Sequence, residues 1–201
     1  MQKGNITYPV TGVILAGGKS KRIGINKAFI EIAGKPLISI IIDLFSKIFK
    51  EVIISSNQPE LYTNFNLPVV PDLIPNSGSI GGIYTGLTRS SFDYTFFSAC
   101  DMPFLNEKLI RFMLSKRNGF DVIIPKTEKG FEPTHAIYSK NCIKPIKKRL
   151  DQNILKIIDF LSEVKVKTIS IKEIKKFDPT LSSFFNINTI KDLKIALKRL
   201  E

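Results

Sequence analysis

Val10-Thr11-Gly12-Val13-Ile14-Leu15-Ala16-Gly17-Gly18-Lys19-Ser20-Lys21-Arg22-Ile23-Gly24-Ile25-Asn26-Lys27 is the stretch on which the fold turns. The apolar run from Val10 to Leu15 reads as a buried parallel strand, and Gly17-Gly18 let the backbone turn sharply and come close to a ligand. Lys19, Lys21, Arg22 and Lys27 follow at once, so backbone N–H groups and four cations can converge on one polyanion of triphosphate size. The spacing matches neither G-x-x-x-x-G-K-[ST], because no Gly-Lys-Ser/Thr closes the loop, nor G-x-G-x-x-G, because the glycines are adjacent. Taken alone, the glycine pair also suits a plain tight turn.

Outward from the loop, Ala28 to Ile32 alternates briefly and predicts a strand that would anchor Lys27. Pro36 suits the first turn of a helix running from near Leu37 to Phe49, with Leu37, Ile41, Leu44, Phe45 and Ile48 on its buried face. Val52 to Ser56 is the second strand. Its polar end, Ser55 to Asn57, lies where open parallel sheets bind ligands; Ser55 or Asn57 suits a base edge there, or a cap for the segment 59–63. Leu67 to Val70 delivers Asp72 to the same rim. A small polar loop, 74–79, then leads to Gly81-Gly82 and a helix from Ile83 to Arg89. Amides near Gly78 and Gly82 can meet a phosphate or a ring carbonyl there, unless the glycines serve only the turn. Tyr94 to Ala99 is the clearest central strand, and Asp101 sits at its C-terminal end. Magnesium takes one or two carboxylates plus substrate phosphates, so a single rim Asp suffices; capping the next helix falls better to Asn106.

Leu109, Phe112 and Met113 mark a second crossover helix, closed by Asn118-Gly119, and Asp121 to Pro125 a further strand. This alternation predicts right-handed βαβ units. After a charged loop, 127–131, comes Glu132-Pro133-Thr134-His135-Ala136-Ile137-Tyr138, which holds the only histidine; a lone histidine is usually structural. Ile143, Ile146 and Leu150, then Ile154, Ile157, Ile158 and Leu161, predict two consecutive amphipathic helices. Val164 to Ile171 reads as an edge strand with outward lysines. Leu181 to Thr189 reads as a returning strand that places Asn186 and Asn188 on one face, toward a ligand or, for Asn188, as a cap for a helix from Thr189 to Leu200.

The 201 residues suit one domain, and the predicted class is a single-domain Rossmann-like three-layer α/β sandwich, mostly parallel, with helices on both faces. No apolar run approaches the roughly 20 residues that cross a bilayer, and Met1 to Pro9 lacks the pattern of a signal peptide, so the cytoplasm is expected. Cys100 and Cys142 stand in unrelated contexts, which argues against a zinc site or a disulfide framework. The net charge is +12, and residues 140–201 carry 15 Lys and Arg against 7 Asp and Glu. Lysines predominate and stand singly among isoleucines, a pattern of a solvated helical surface more than of a nucleic-acid face.

The opening pattern Leu-Ala-Gly-Gly-x-Ser-x-Arg-x-Gly-x-x-Lys closely resembles the signature of nucleotidyltransferases, in particular the molybdenum cofactor guanylyltransferases. Pro71-Asp72, Gly78 through Ile83, Cys100 through Leu105, Glu132 through Tyr138 and Asn186 through Thr189 resemble that family's later motifs, in order. The resemblance implies transfer of GMP from GTP to the phosphate of molybdopterin, with Mg²⁺ and release of pyrophosphate, and with molybdoenzyme maturation proteins as possible partners. It implies Leu15, Ala16, Gly17, Gly18, Lys27, Ser55, Asp72, Gly78, Gly82 and Asp101 as the nucleotide site. Arg22, Lys27 and Asp101 are the expected catalytic groups, with Asp101 on the metal, and His135, Asn186 and Asn188 are expected beside the acceptor. The chain departs from the family where an arginine is usual before the late helix: residues 150–156 offer only Lys156. Related cytidylyltransferases and sugar-phosphate nucleotidyltransferases share the first loop and remain the alternative, as does, from another class, a nucleotide-binding partner that does not turn over.

Overall fold

The computed structural model describes residues 7–17, 26–32 and 34–199. In chain order the strands are β1 (Tyr8–Leu15), β2 (Glu31–Ile32), β3 (Lys35–Pro36), β4 (Phe49–Ser55), β5 (Val69–Val70), β6 (Tyr94–Ala99), β7 (Val122–Thr127), β8 (Gly130–Phe131), β9 (His135–Ser139) and β10 (Val166–Ile169). The α-helices are α1 (Leu37–Ile48), α2 (Gly78–Arg89), α3 (Glu107–Ser115), α4 (Ile143–Asp151), α5 (Ile171–Ile174) and α6 (Ile190–Lys198). One sheet runs β10-β7-β9-β6-β1-β4-β5, with β8 added against β7, while β2 and β3 form a separate hairpin. The pairs β1–β4, β1–β6, β4–β5 and β7–β10 are parallel; β9 runs antiparallel to both β6 and β7.

Two-residue periodicity divides the strand side chains between two cores. Val10, Ile14, Ile54, Phe96, Ile123 and Ile137 pack with the buried faces of α1, α3 and α5. Val13, Leu15, Ile53, Phe97, Val122 and Tyr138 face the other way, onto α2 and α4. The molecule is therefore a mostly parallel, three-layer α/β sandwich with helices on both faces. A third, smaller cluster seats α6 against the hairpin through Ala196, Ile187, Ile32 and Leu37. No helix among the described residues is long and apolar enough to cross a membrane.

Several local expectations are corrected. Lys27 lies in a 3-10 turn, Lys27–Phe29, because Asn26 accepts a hydrogen bond from the Ala28 amide and caps it; the strand follows only at Glu31. Helix α2 starts at Gly78, five residues before the expected Ile83. The second of the two helices expected after Asn141 is a 3-10 segment, Ile157–Glu163, since Asn153 at φ 56° ends the α-helical path. Residues 181–189 form no strand: Leu181 takes a positive φ of 56° and a 3-10 turn, Ser182–Phe184, follows. Asn106 caps α3 as expected, accepting from the Leu109 amide at 3.0 Å.

Candidate active site

The strands β1, β4, β5 and β6 end level with one another. Leu15 pairs with both Ser55 and Ala99, and Ser55 with Val70. The ladder continues one step further, with Ala16 N donating to Ser55 O at 2.9 Å, Cys100 N to Leu15 O at 3.0 Å and Ser56 N to Val70 O at 2.9 Å. Beyond that point the chains part, which opens the crevice that parallel sheets offer at their C-terminal edge. Two neighbouring cavities fill it and share Leu15, Gly17 and Ser79 as walls.

The larger cavity, about 440 Å³, is bounded by Ser55, Asn57, Asp72, Asn76, Gly78 and Gly82. Asn57 and Asp72 clasp each other: Asn57 Nδ2 donates to Asp72 Oδ2 and the Asp72 amide donates to Asn57 Oδ1, both at 2.8 Å. Asn57 thus serves the rim and does not cap residues 59–63, whose 3-10 segment has no side-chain cap. The next residue, Leu73, is tied down by its amide donating to the buried Thr85 hydroxyl of α2 at 2.9 Å. The helical ladder of α2 begins where the Gly81 amide reaches Ser77 O at 3.4 Å, so the amides of Gly78 and Ser79 precede it and remain available to a ligand. Gly82 lies within the ladder and acts by lacking a side chain. A Cβ there would stand 2.9 Å from Leu15 Cδ2, 3.5 Å from Ser55 Oγ and 3.9 Å from Asp72 Oδ1. The Gly82 amide is thus taken up in the helix, and its missing side chain leaves space beside Ser55 and Asp72.

The second cavity, about 190 Å³, is bounded by Ala16, Asn26, Lys27, Asp101 and Thr134 among others. The turn that presents Lys27 is held by Asn26, whose Nδ2 donates to the buried Tyr62 hydroxyl, which in turn donates to Ala16 O, both at 3.3 Å. Lys27 Nζ donates to Asp101 Oδ2 at 2.9 Å and to Asn188 Oδ1 at 2.7 Å. Lys27 and Asp101 keep 18% and 16% of their side-chain surface exposed, so a ligand can still reach the pair. The other oxygen, Asp101 Oδ1, is buried with no hydrogen-bond partner among the described residues. An orphaned carboxylate oxygen beside an ammonium is a site that lacks a further positive or donating group. Among the described residues no three His, Cys, Asp or Glu side chains gather as a metal cage, so a cation on Asp101 would take its other ligands from phosphate and water.

Asn188 owes its place to the start of α6. Thr189 caps that helix in a capping box with Asp192, and the Asn188 amide donates to the same Asp192 carboxylate at 3.0 Å. The Ile187 amide donates to Asp101 O at 2.9 Å, fastening the same segment to the rim. Asn186 does not share the site with Asn188, because its Nδ2 turns back onto Phe184 O at 3.3 Å. His135 is likewise not at the rim. It is fully buried, edge-on to Phe96 and Phe184 with ring centroids at 5.1 Å in each case, and both of its nitrogens lack partners among the described residues. Burial pushes its pKa down to about 3, so it is a neutral core ring, while its neighbour Thr134 lines the cavity of Lys27. Cys100 is no nucleophile at neutral pH, since burial, with Asp101 beside it, pushes its thiol up to about 12. Lys156 is mostly exposed, 3.8 Å from Asp159. Gly18 and Arg22 lie outside the described residues. Asn26, Tyr62, Thr85 and Thr134 were not singled out from sequence; only Asn26, a capping residue directly before Lys27, carried a local signal.

The family model of the MobA-like NTP transferase domain matches residues 12–165. The chain is 42% identical over 201 aligned residues to a protein of Natranaerobius thermophilus named probable molybdenum cofactor guanylyltransferase, covering 97% of this chain and 98% of that one. It is 38% identical to the molybdenum cofactor guanylyltransferase of Desulfosudis oleivorans, over 93% and 94% of the two chains. Among solved structures, molybdopterin-guanine dinucleotide biosynthesis protein A of Archaeoglobus fulgidus superposes with a TM-score of 0.84 at 29% identity, covering 95% of this chain and 98% of that one.

Proposed function

Because the chain belongs to the MobA-like NTP transferase family, we propose that this nucleotidyltransferase moves GMP from GTP onto the phosphate of molybdopterin. An oxygen of the acceptor phosphate forms a bond to the α-phosphorus of GTP, the bond from that phosphorus to the bridging α–β oxygen breaks, and pyrophosphate leaves with the electron pair. The attacking phosphate is already ionised at neutral pH, so no general base is needed, and the protein contributes position and charge.

The observation that carries this reading is the joining of two unlike cavities along one rim: a polar one walled by Asp72, Ser55 and a glycine helix start, and a charged one holding Lys27 and Asp101. In the first, guanine places its N1–H and 2-amino donors against Asp72 or rim carbonyls, and its O6 against the free amides at Gly78 and Ser79. Leu15, Ala16 and Gly17 line the path of the sugar and phosphates. In the second, Lys27 neutralises charge that develops on the phosphates, and Asn188 and Thr134 flank the acceptor. Asp101 with its orphaned oxygen suits Mg²⁺, completed by phosphate oxygens. When bound, that ion supplies Lewis-acid charge neutralisation at the phosphates. All 201 residues act as one catalytic domain in the cytoplasm, where maturation proteins for molybdoenzymes are the natural recipients of the product.

The test is pyrophosphate release with GTP, CTP, ATP and UTP, each with and without molybdopterin. Release that requires both GTP and molybdopterin is expected, with GTP favoured over CTP by up to about 10⁴ in kcat/KM, the scale on which mismatched buried donors and acceptors are rejected. CTP used as well as GTP would move the chain to the cytidylyltransferase branch of the fold.

A further inference from the structure

A third cavity, of about 270 Å³, lies between the β7–β8 hairpin and residues 180–185, and the reaction as written above makes no use of it. Thr127, Glu132, Leu181, Phe184, Phe185 and Arg199 are among its walls. We propose that it receives the bicyclic pterin end of the acceptor, with the ring against Phe185 and Arg199 and its 2-amino-4-oxo edge paired with the Glu132 carboxylate. This rests on the guanylyl-transfer reading and adds to it the groups that recognise the acceptor.

Three observations lead there. Glu132 is half-buried, and among the described residues its side chain accepts one hydrogen bond, from the Thr127 hydroxyl onto Oε1 at 2.9 Å. Burial pushes its pKa up, with Thr127 and the nearby Lys129 acting the other way, so this is a carboxylate short of donors. Beside it stands a cluster of one cation and two aromatic rings. The Arg199 guanidinium sits 4.9 Å from the Phe185 ring and 5.6 Å from Phe104, and those rings are 5.9 Å apart. A planar guanidinium over aromatic faces is a surface on which a flat heterocycle stacks. The wall of Leu181 and Phe184 beneath is apolar, which suits the body of such a ring.

The third observation is the connection to the reacting end. Glu132 is two residues from Thr134, which lines the cavity of Lys27, and Phe185 is three residues from Asn188, which holds Lys27. Two or three residues span at most about 10 Å, so the cavity lies within the length of a molecule with a phosphate at one end and a fused ring at the other. Pterin and guanine share the same edge, an amino group and a ring N–H beside a carbonyl. The rim would then read the two halves of its product by one device, Asp72 for guanine and Glu132 for pterin, since a carboxylate accepts both donors at once.

The experiment uses the full chain and two readouts. With molybdopterin as acceptor, Glu132→Gln should raise the acceptor KM about 10–100-fold and leave the GTP KM unchanged, the scale of losing a charge-assisted pair. Arg199→Ala should raise the acceptor KM several-fold, and Glu132→Asp should fall between wild type and Glu132→Gln. Independently of turnover, quenching of the intrinsic fluorescence of free pterin, without GTP, should report binding to the wild type and its loss in Glu132→Gln. Pterin binding lost in that variant supports the site even where no guanylyl transfer is detected. Transfer that proceeds with an unchanged acceptor KM and unchanged pterin binding in Glu132→Gln overturns it. If Glu132→Gln does not fold, Glu132→Asp and Arg199→Ala carry the same comparison, and wild-type behaviour in both refutes the proposal.

Discussion

Gly82→Ala separates ligand binding from stability. Gly82 lies inside α2, where alanine is favoured over glycine by about 0.5–1 kcal/mol. Against that, the new methyl would come within 2.9 Å of Leu15 Cδ2, the end of a side chain at the sheet edge that can shift by the few tenths of an ångström required. The two effects nearly offset, so Tm should move by no more than about 2–4 °C, the change expected for 1 kcal/mol in a chain of this size. Binding should respond quite differently. The methyl would stand 3.5 Å from Ser55 Oγ and 3.9 Å from Asp72 Oδ1, in the space assigned to guanine. Displacing the base from Asp72 forfeits at least one charge-assisted hydrogen bond, about 1.5–3 kcal/mol, or roughly a 10–100-fold rise in the KM for GTP. Gly86→Ala, one turn along the same helix, is the matched control. Its Cβ would meet Phe97 Cε1 at 2.6 Å and Val13 Cγ1 at 3.2 Å, atoms packed in the core. Overpacking of that kind costs about 1–3 kcal/mol, so Gly86→Ala should lower Tm and leave the GTP KM alone. Steady-state kinetics beside thermal melts of both variants decide the matter. An unchanged GTP KM in a folded Gly82→Ala would mean that the base lies elsewhere.

Other perturbations test the charged end and the core. Asp101→Asn keeps the shape and removes the charge; turnover should fall about 10²-fold or more with Tm nearly unchanged, and near-normal pyrophosphate release in limiting Mg²⁺ would contradict its assignment as the metal ligand. Asn188→Ala leaves Lys27 with Asp101 as its one remaining partner, so kcat should fall about 10-fold, the scale of one lost hydrogen bond to a charged group, and Asn188→Gln should not restore it if position is what matters. His135 gives a signature in the stability curve against pH. Its pKa is about 3 when folded and about 6.5 when unfolded, so between those values the unfolded chain binds more protons and stability is lost as pH falls. The loss attributable to this residue should begin near pH 6.5, at no more than about 1.4 kcal/mol per pH unit. Denaturant titrations of the wild type and His135→Phe should converge in slope above pH 7 and diverge below 6; parallel curves would show that the ring is solvated.

What the sequence made legible was the part governed by short-range rules. Strand ends marked by Gly17, Asp72 and Asp101, the helix faces of α1 and α3 and the Asn106 cap all follow from periodicity and local hydrogen bonding. Strand β9 and its direction did not: His135 to Ser139 was read only as part of a motif, and its five buried residues carry no alternation and no mark of their neighbours' orientation. The same antiparallel pairing, Ser98 with His135, draws the histidine inward against Phe96. Asn188 was singled out as polar beside the acceptor, but its hold on Lys27 depends on a contact across 161 residues that no local pattern encodes. The 3-10 turn at Lys27 was misread as a strand because Ala28, Ile30 and Ile32 alternate, while the one residue that decides it, Asn26, acts through its side chain.

The tether from the α6 capping box through Asn188 to Lys27 also sets a clock. A ribosome adds roughly 5–20 residues per second, so on the order of 10–30 s separate the synthesis of Lys27 from that of Asn188. During that interval Lys27 is already part of the nascent chain while its Asn188 partner does not yet exist. The position of the Lys27 side chain is therefore completed only after synthesis has passed residue 188, by a contact from the far end of the chain.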